Sequence, residues 1–497
     1  MGIIIRQSIK GASANYIGAF LGFLTTIIIF PLLIKPEEIG LVKVIYDAAL
    51  LIASYALIGT TTSAIRFFPY FQNSKNKDNG FFFYLLILPT IGLLICIPTY
   101  LLLRTPISNF FAEKSRLFIN YYEWVIPLIC IVVYWMTFET YANVKMRIAV
   151  PKFIREVLPR IMIIAISLLY AFNILNLDGF IACYIFVYVI ALLLTFIYIK
   201  KIGSLTLKHD FSFLDKKLKQ NIAKYTGFTA LGILGGGLLY QLDLFMVAGQ
   251  LGLDHAGIYT TAAHIAVAVE IPSRSISAIS SPIAAQSIKE GNLNEANMLY
   301  KKIALHQLIV GGIIFLLIWI NIDNIFALMP NGQTYIAGKW VVFFIALSKL
   351  ISAIFDFGAS LISFSKYYYW KLPFTLLITT TGIIANLLLI PIFGIAGAAI
   401  ATLVTLTISC AIQQGIVVLK LKGNPLSFNL FKFLALLGIA FAFNYLLPIW
   451  SENPVIDGLY RTIIIGFFTV IILYKLKLSD EISSLMTSTI RKVISRT

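Results

Sequence analysis

Ten polar side chains that bear on function sit inside long apolar runs of this sequence: Asp47, Arg66, Tyr240, Gln241, Asp243, His264, Glu270, Arg274, Lys349 and Asp356. Their types suit charge pairing, ion binding and recognition of a charged cargo. Glu270 and Arg274 stand four residues apart in HIAVAVEIPSRSISAISSP (264–282), so on a helix they share a face and neutralise each other. Ser277 and Ser281 extend that face, while Pro272 and Pro282 free backbone carbonyls that a cavity can use. Two readings stand for the pair: a lock within a helix bundle, or a cavity-lining Arg274 that meets an anion while Glu270 positions it or titrates. A second stripe consists of Lys349, Ser352, Asp356, Ser360 and Ser363, spaced 3, 4, 4 and 3. On an otherwise apolar helix it must face water or protein. Packing through small hydroxyl residues accounts for the serines but poorly for Lys349.

Asp243 follows Tyr240 and Gln241 and is read either as a partner of Lys349 or Arg274 or as a ligand of a coupling cation. Arg66 ends an apolar run in TTTSAIRFFPYF (60–71), where it either snorkels to the interface or makes a first phosphate contact at the cytoplasmic mouth. Asp47 and His264 are read as hydrogen-bonded packing residues or as parts of a proton relay. Cys96, Cys130, Cys183 and Cys410 lie in apolar runs without metal-ligand spacing, which makes them buried side chains. The sequence has no GxxxxGK[ST] phosphate loop, so ATP is not the expected energy source, and no cofactor is expected.

The elements that must hold these groups are membrane spans. Of the 497 residues 59% are hydrophobic and 12% charged, with mean hydropathy +0.89, whereas soluble domains are about one quarter charged. Apolar segments at about 11–34, 39–68, 81–103, 118–140, 157–175, 179–199, 225–251, 256–286, 303–327, 337–364, 372–391, 394–419, 430–448 and 459–474 make fourteen expected transmembrane helices. Arg6 and Lys10 precede a first run too long for a signal-peptide core. An even number puts both termini on one side. Sorted by loop, 29 Lys and Arg fall on that side, 7 on the other and 3 within spans, which makes the termini cytoplasmic. The net charge of +17 is therefore mostly topology and does not indicate nucleic acid.

The chain also resembles itself. EEIGLVKVIYDA (37–48) aligns with DHAGIYTTAAHI (254–265), setting Gly40 opposite Gly257 and Asp47 opposite His264. LDGFIACYI (177–185) likewise aligns with IFGIAGAAI (392–400), and the two offsets, 217 and 215 residues, agree. The expected architecture is an all-α polytopic membrane protein with two six-helix bundles related by a parallel repeat. Its parts are a first bundle at 1–200, a basic cytoplasmic linker at 201–224, a second bundle at 225–422, helices 13 and 14 at 423–475 and a basic tail at 476–497. In that tail Ile482, Leu485, Ile490 and Val493 among Lys and Arg suit either an interfacial helix or a solvated end. Gly18 with Gly22 and Gly232 with Gly236 have the spacing that lets helices approach closely.

With this organisation, NLLLIPIFGIAGAAIAT (386–402) and YQLDLFMVAGQLGLDHAGIYTTA (240–262) resemble the bacterial polysaccharide flippases. These are the O-antigen-type translocases of the multidrug/oligosaccharidyl-lipid/polysaccharide exporter superfamily. The resemblance implies two halves arranged as a V around a central cavity that opens alternately to each side of the bacterial inner membrane. It implies an undecaprenyl-diphosphate-linked oligosaccharide as cargo, membrane lipids as surroundings, and a polysaccharide polymerase and chain-length regulator as candidate partners. Asp243 matches an acidic residue that such flippases often have. Arg274 and Lys349, with Arg66, would then neutralise the diphosphate, and a proton or sodium ion at Asp243, Glu270 or Asp356 would reset the carrier. The competing readings are a multidrug/cation antiporter of the same fold and a lipid II flippase. A membrane glycosyltransferase or polymerase would need a sizeable outer loop with carboxylates, and the longest, at about 449–458, offers only Glu452 and Asp457.

Overall fold

The computed structural model describes residues 2–72, 77–202, 205–206, 215–236, 239–476 and 478, and every regular element among them is a helix. The side chains of 2–12, 231–240 and Pro282 lie outside this description, as does the tail from 479. Tyr240, the Gly232 and Gly236 pair and the tail residues Ile482 to Val493 therefore fall outside the described part.

Eleven of the described helices are long and apolar enough to cross a membrane. They correspond to the expected segments except those at 157–175, 225–251 and 256–286, which fall on shorter or more polar pieces. The first is Leu158–Ala171, with Pro159 at its start; the second is Lys216–Gly236 and Leu239–Gln250. The third is Leu253–Val267, a 3-10 turn at Ala268–Glu270 and then Ile271–Glu290, with Pro272 in the first turn of the new helix. Proline lacks the N–H that a continuing helix would use, so the apolar run persists while the helix is interrupted.

The segment expected at 39–68 also divides, into Pro36–Ala56 and Thr60–Phe71. Gly59 at the break has φ +69°, and a Cβ there would lie 2.3 Å from Thr229 Oγ1 and 2.9 Å from Ala230 N. Both the backbone conformation and the close approach of Lys216–Gly236 require glycine.

Two compact units emerge, Met1–Thr260 and Thr261–Thr497. In the first, Phe67, Phe68, Phe71, Phe81, Phe82, Tyr84 and Tyr141 form an aromatic core that also takes in Ile199 and Ile222. It joins Thr60–Phe71 to Phe81–Leu102, Val125–Val144, Leu177–Ile202 and Lys216–Gly236. In the second, Leu316, Ile320, Ala440 and Ile465 tie the last two helices, Phe428–Leu446 and Pro454–Leu476, to Leu293–Ile320. Asp457 accepts hydrogen bonds from Arg461 at 2.7 Å and Asn324 at 2.9 Å, and Arg461 also reaches Asn444 Oδ1 at 2.8 Å. That carboxylate holds the end of a helix.

Candidate functional site

The interruption before Pro272 makes Glu270 the residue that caps Ile271–Glu290. A carboxylate is favoured there because the first backbone N–H groups of a helix carry partial positive charge. Glu270 Oε1 accepts from Arg274 Nε at 3.1 Å, as the spacing of four predicts, and Glu270 Oε2 lies 2.9 Å from Lys349 Nζ. The two sequence readings of the pair therefore meet in one arrangement. One carboxylate lies between two cations, leaving this triad a formal charge of +1. The side chain of Lys349 is 16% exposed and that of Arg274 66% exposed. Lys349 is spent on Glu270, while Arg274 is tethered by the same carboxylate and still open to a ligand.

The triad is the first rung of a ladder. Ser277 donates to Asp356, and Ser281 and Ser360 hydroxyls lie 3.4 Å apart. Each contact joins residues separated by 79 positions, as Glu270 and Lys349 are, so Ile271–Glu290 and Lys339–Phe364 run parallel with one polar stripe against the other. A third helix, Leu293–Ile320, inserts Gln307, whose Nε2 lies 3.4 Å from Ser273 Oγ and 3.5 Å from Ser277 Oγ. Lower in the same unit, Tyr300 donates to Gln414 at 2.8 Å. A sequence signal for the ladder exists: Glu270, Ser273, Ser277 and Ser281 repeat the 3, 4, 4 spacing of Lys349, Ser352, Asp356 and Ser360.

The other sequence candidates are placed as follows. Arg66 is exposed, with its guanidinium 4.2 Å from the Tyr225 ring centroid and 5.6 Å from that of Phe67. Asp47 is buried and accepts from Lys43 one turn earlier at 3.1 Å. Asp243 accepts from Tyr259 at 3.0 Å. Gln241 buries its Oε1 without a hydrogen-bond partner, and His264 is half-buried on Leu253–Val267.

A charged cluster in the first unit escaped the sequence reading, which took Arg155 and Arg160 only as loop cations. Arg155 Nη1 reaches both Glu139 carboxylate oxygens, at 2.8 and 3.1 Å, and its Nε reaches Glu156 at 3.0 Å. Arg160 Nη1 in turn lies 2.7 Å from the Glu156 carbonyl. The Gly18 and Gly22 spacing does permit a close approach, and the group that approaches is Arg160. A Cβ at Gly18 would lie 2.5 Å from its Nη1 and one at Gly22 3.0 Å from its Nε. The overlooked signal was Glu139, a carboxylate inside an apolar run.

The sequence family described as polysaccharide biosynthesis protein matches residues 5–281. No curated protein matches the chain. Among solved structures, one titled "Lipid II flippase MurJ, inward closed conformation" superposes with a TM-score of 0.71 at 14% identity, covering 95% of this chain and 99% of that one. An inward-facing multidrug resistance MATE family transporter of the MOP superfamily gives 0.58 at 14% identity, covering 82% of this chain and 95% of the other. A MOP superfamily transporter from Pyrococcus furiosus gives 0.51 at 14% identity over 85% of this chain and 96% of the other. Likeness at this identity is a likeness of fold: the helices of this chain are arranged as in flippases and transporters of that superfamily.

Proposed function

We propose, from the premise that this chain belongs to the polysaccharide biosynthesis protein family, that it is a flippase for undecaprenyl-diphosphate-linked sugar repeat units. It carries them from the cytoplasmic to the outer leaflet of a bacterial inner membrane by alternating access of its six-span bundles at 1–200 and 225–422. The products serve O-antigen, capsule or exopolysaccharide synthesis. Both termini are cytoplasmic in this reading.

The observation that carries it is the Glu270, Arg274 and Lys349 triad: its surplus charge is positive, and the cation left exposed is an arginine. A guanidinium offers forked N–H donors that match a phosphate oxygen pair, so the triad recruits an anion. A cation antiporter of the same fold would need the opposite surplus at this point. The diphosphate carries about two negative charges, and an inside-negative potential favours each outward transfer by about 2.3 kcal/mol per 100 mV. Arg274 binds the diphosphate, the sugars stay hydrated, and the polyprenyl chain remains in lipid.

The test is the sidedness of polyprenyl-diphosphate oligosaccharide in spheroplasts after depletion of the protein, read with an impermeant sugar-modifying enzyme added outside. Protected inner-leaflet oligosaccharide is the expected outcome; unchanged outer exposure would overturn the reading.

A further inference from the structure

The ladder in the second unit has an excess of oxygen acceptors at its centre. Asp356 receives a hydrogen bond from Ser277, and no Lys, Arg or His pairs with it among the described residues. The two membrane-embedded cations nearest along these helices, Arg274 and Lys349, are held by Glu270, and Lys349 lies seven residues from Asp356, about 10 Å along the helix. Ser277 has a single proton and gives it to Asp356, so toward Gln307 its oxygen acts as an acceptor. That fixes the Gln307 amide with its nitrogen toward the serines and leaves Gln307 Oε1 as the outer atom. Gln307 is 2% exposed, and Oε1 has no hydrogen-bond donor. Ser352, one turn before Asp356, buries its hydroxyl beside the Cys410 thiol with no partner in hydrogen-bond geometry. The other titratable groups facing Asp356 are the Cys410 thiol and the Tyr300 hydroxyl, and the latter's proton goes to Gln414. Neither is a cation.

We propose that Asp356, Gln307 and Ser352, with Ser277, form a binding site for a small monovalent cation, namely sodium. A buried carboxylate and buried acceptor oxygens cost free energy unless positive charge or donors meet them. Oxygen-only ligands select a hard cation, and one carboxylate balances one positive charge, which favours an alkali ion over a divalent metal. The neighbouring helix is discontinuous at Ala268–Glu270, the kind of break at which coupling ions are bound in membrane carriers. Asp356 is thereby separated from the other two carboxylates considered from sequence: Glu270 is held by two cations and Asp243 accepts from Tyr259. Use of the bound ion to reset the carrier rests on the flippase reading; the binding itself does not.

The experiment is thermal unfolding of the purified full chain in detergent, with sodium titrated against choline or potassium at constant ionic strength and fixed pH. A saturable rise in midpoint specific to sodium is expected. Asp356→Asn, which keeps the side-chain shape, should abolish it. Gln307→Leu should shift its half-saturation by about tenfold, the effect of losing about 1.4 kcal/mol of ligand interaction. Asp323→Asn, which removes an exposed carboxylate paired with Lys339, should keep the full response. Monodisperse elution shows that each variant has folded. An equal rise with potassium, a response retained in Asp356→Asn, or stabilisation that follows pH alone in sodium-free buffer would each overturn the sodium site, the last in favour of protonation. A sodium response in a protein that fails the sidedness test would remove the flippase reading and leave the site intact.

Discussion

Gly40 and Gly257 meet backbone to backbone, each against the carbonyl four residues before the other. A Cβ on Gly40 would lie 1.9 Å from the Leu253 carbonyl oxygen, and one on Gly257 2.0 Å from that of Pro36. Pro36 and Leu253 are the first residues of their helices. The contact is reciprocal, as expected for two positions beside a two-fold axis, and these are the glycines that the internal repeat aligns at an offset of 217 residues. Two helix starts approach closely enough for Cα–H···O contact only because neither residue has a side chain.

Gly40→Ala and Gly257→Ala should therefore force the two backbones apart. Each is expected to cost about 1–3 kcal/mol, the usual range for an overpacked contact. Gly227→Ala is the control, since its Cβ would meet nothing within 4 Å and alanine favours a helix by about 0.5–1 kcal/mol. Thermal unfolding of the three variants checks the ordering.

Arg274→Ala and Lys349→Ala should separate transport from stability. Either variant leaves Glu270 one cation. Because Arg274 is largely exposed, its loss should change stability by no more than about 1 kcal/mol, while outer-leaflet delivery of oligosaccharide falls by at least about tenfold, or 1.4 kcal/mol. Lys349 is mostly buried, so its removal should lower stability by about 1–3 kcal/mol. Equal effects of the two variants on both readouts would contradict this division of labour.

Thr226→Val tests how Lys216–Gly236 is seated. Ser63 Oγ lies 2.7 Å from Thr226 Oγ1 and 2.9 Å from the Tyr84 hydroxyl, all in the aromatic core. Removing the Thr226 hydroxyl leaves buried groups short of a partner, at about 1–3 kcal/mol. Ser63→Ala combined with Thr226→Val should cost less than the sum of the single changes in a double-mutant cycle.

Arg155→Ala should destabilise by leaving Glu139 without its bidentate partner. The Glu139 side chain is 11% exposed and that of Arg155 40% exposed. The expected loss is about 2–3 kcal/mol, below the range for fully buried pairs because water reaches the guanidinium. Adding Glu139→Gln to Arg155→Ala should restore part of it, since no charge is then left unpaired. Chemical unfolding in detergent would show whether the double variant recovers.

Some of this was legible residue by residue. The i, i+4 pair of Glu270 and Arg274, the polar stripe from Lys349 and the glycines aligned by the repeat all follow from helical period and position, which are local properties. The hydropathy runs located the spans, yet gave no sign of the break at Gly59, because an apolar run continues through a change of backbone direction. Glu139 was passed over for the opposite reason, as one acid in a long apolar run.

By itself the sequence determined that the chain is a helical membrane protein, where most of its spans lie and which charges must find partners within them. The tertiary structure decided who those partners are. Lys349 goes to Glu270, Ser277 to Asp356 and Gly40 to Gly257, across separations of 79, 79 and 217 residues. The physical reason is that burial and helical period are set by each segment alone, whereas a buried charge is neutralised by whichever side chain another helix brings within about 3 Å, and only packing fixes which helix and which turn that is.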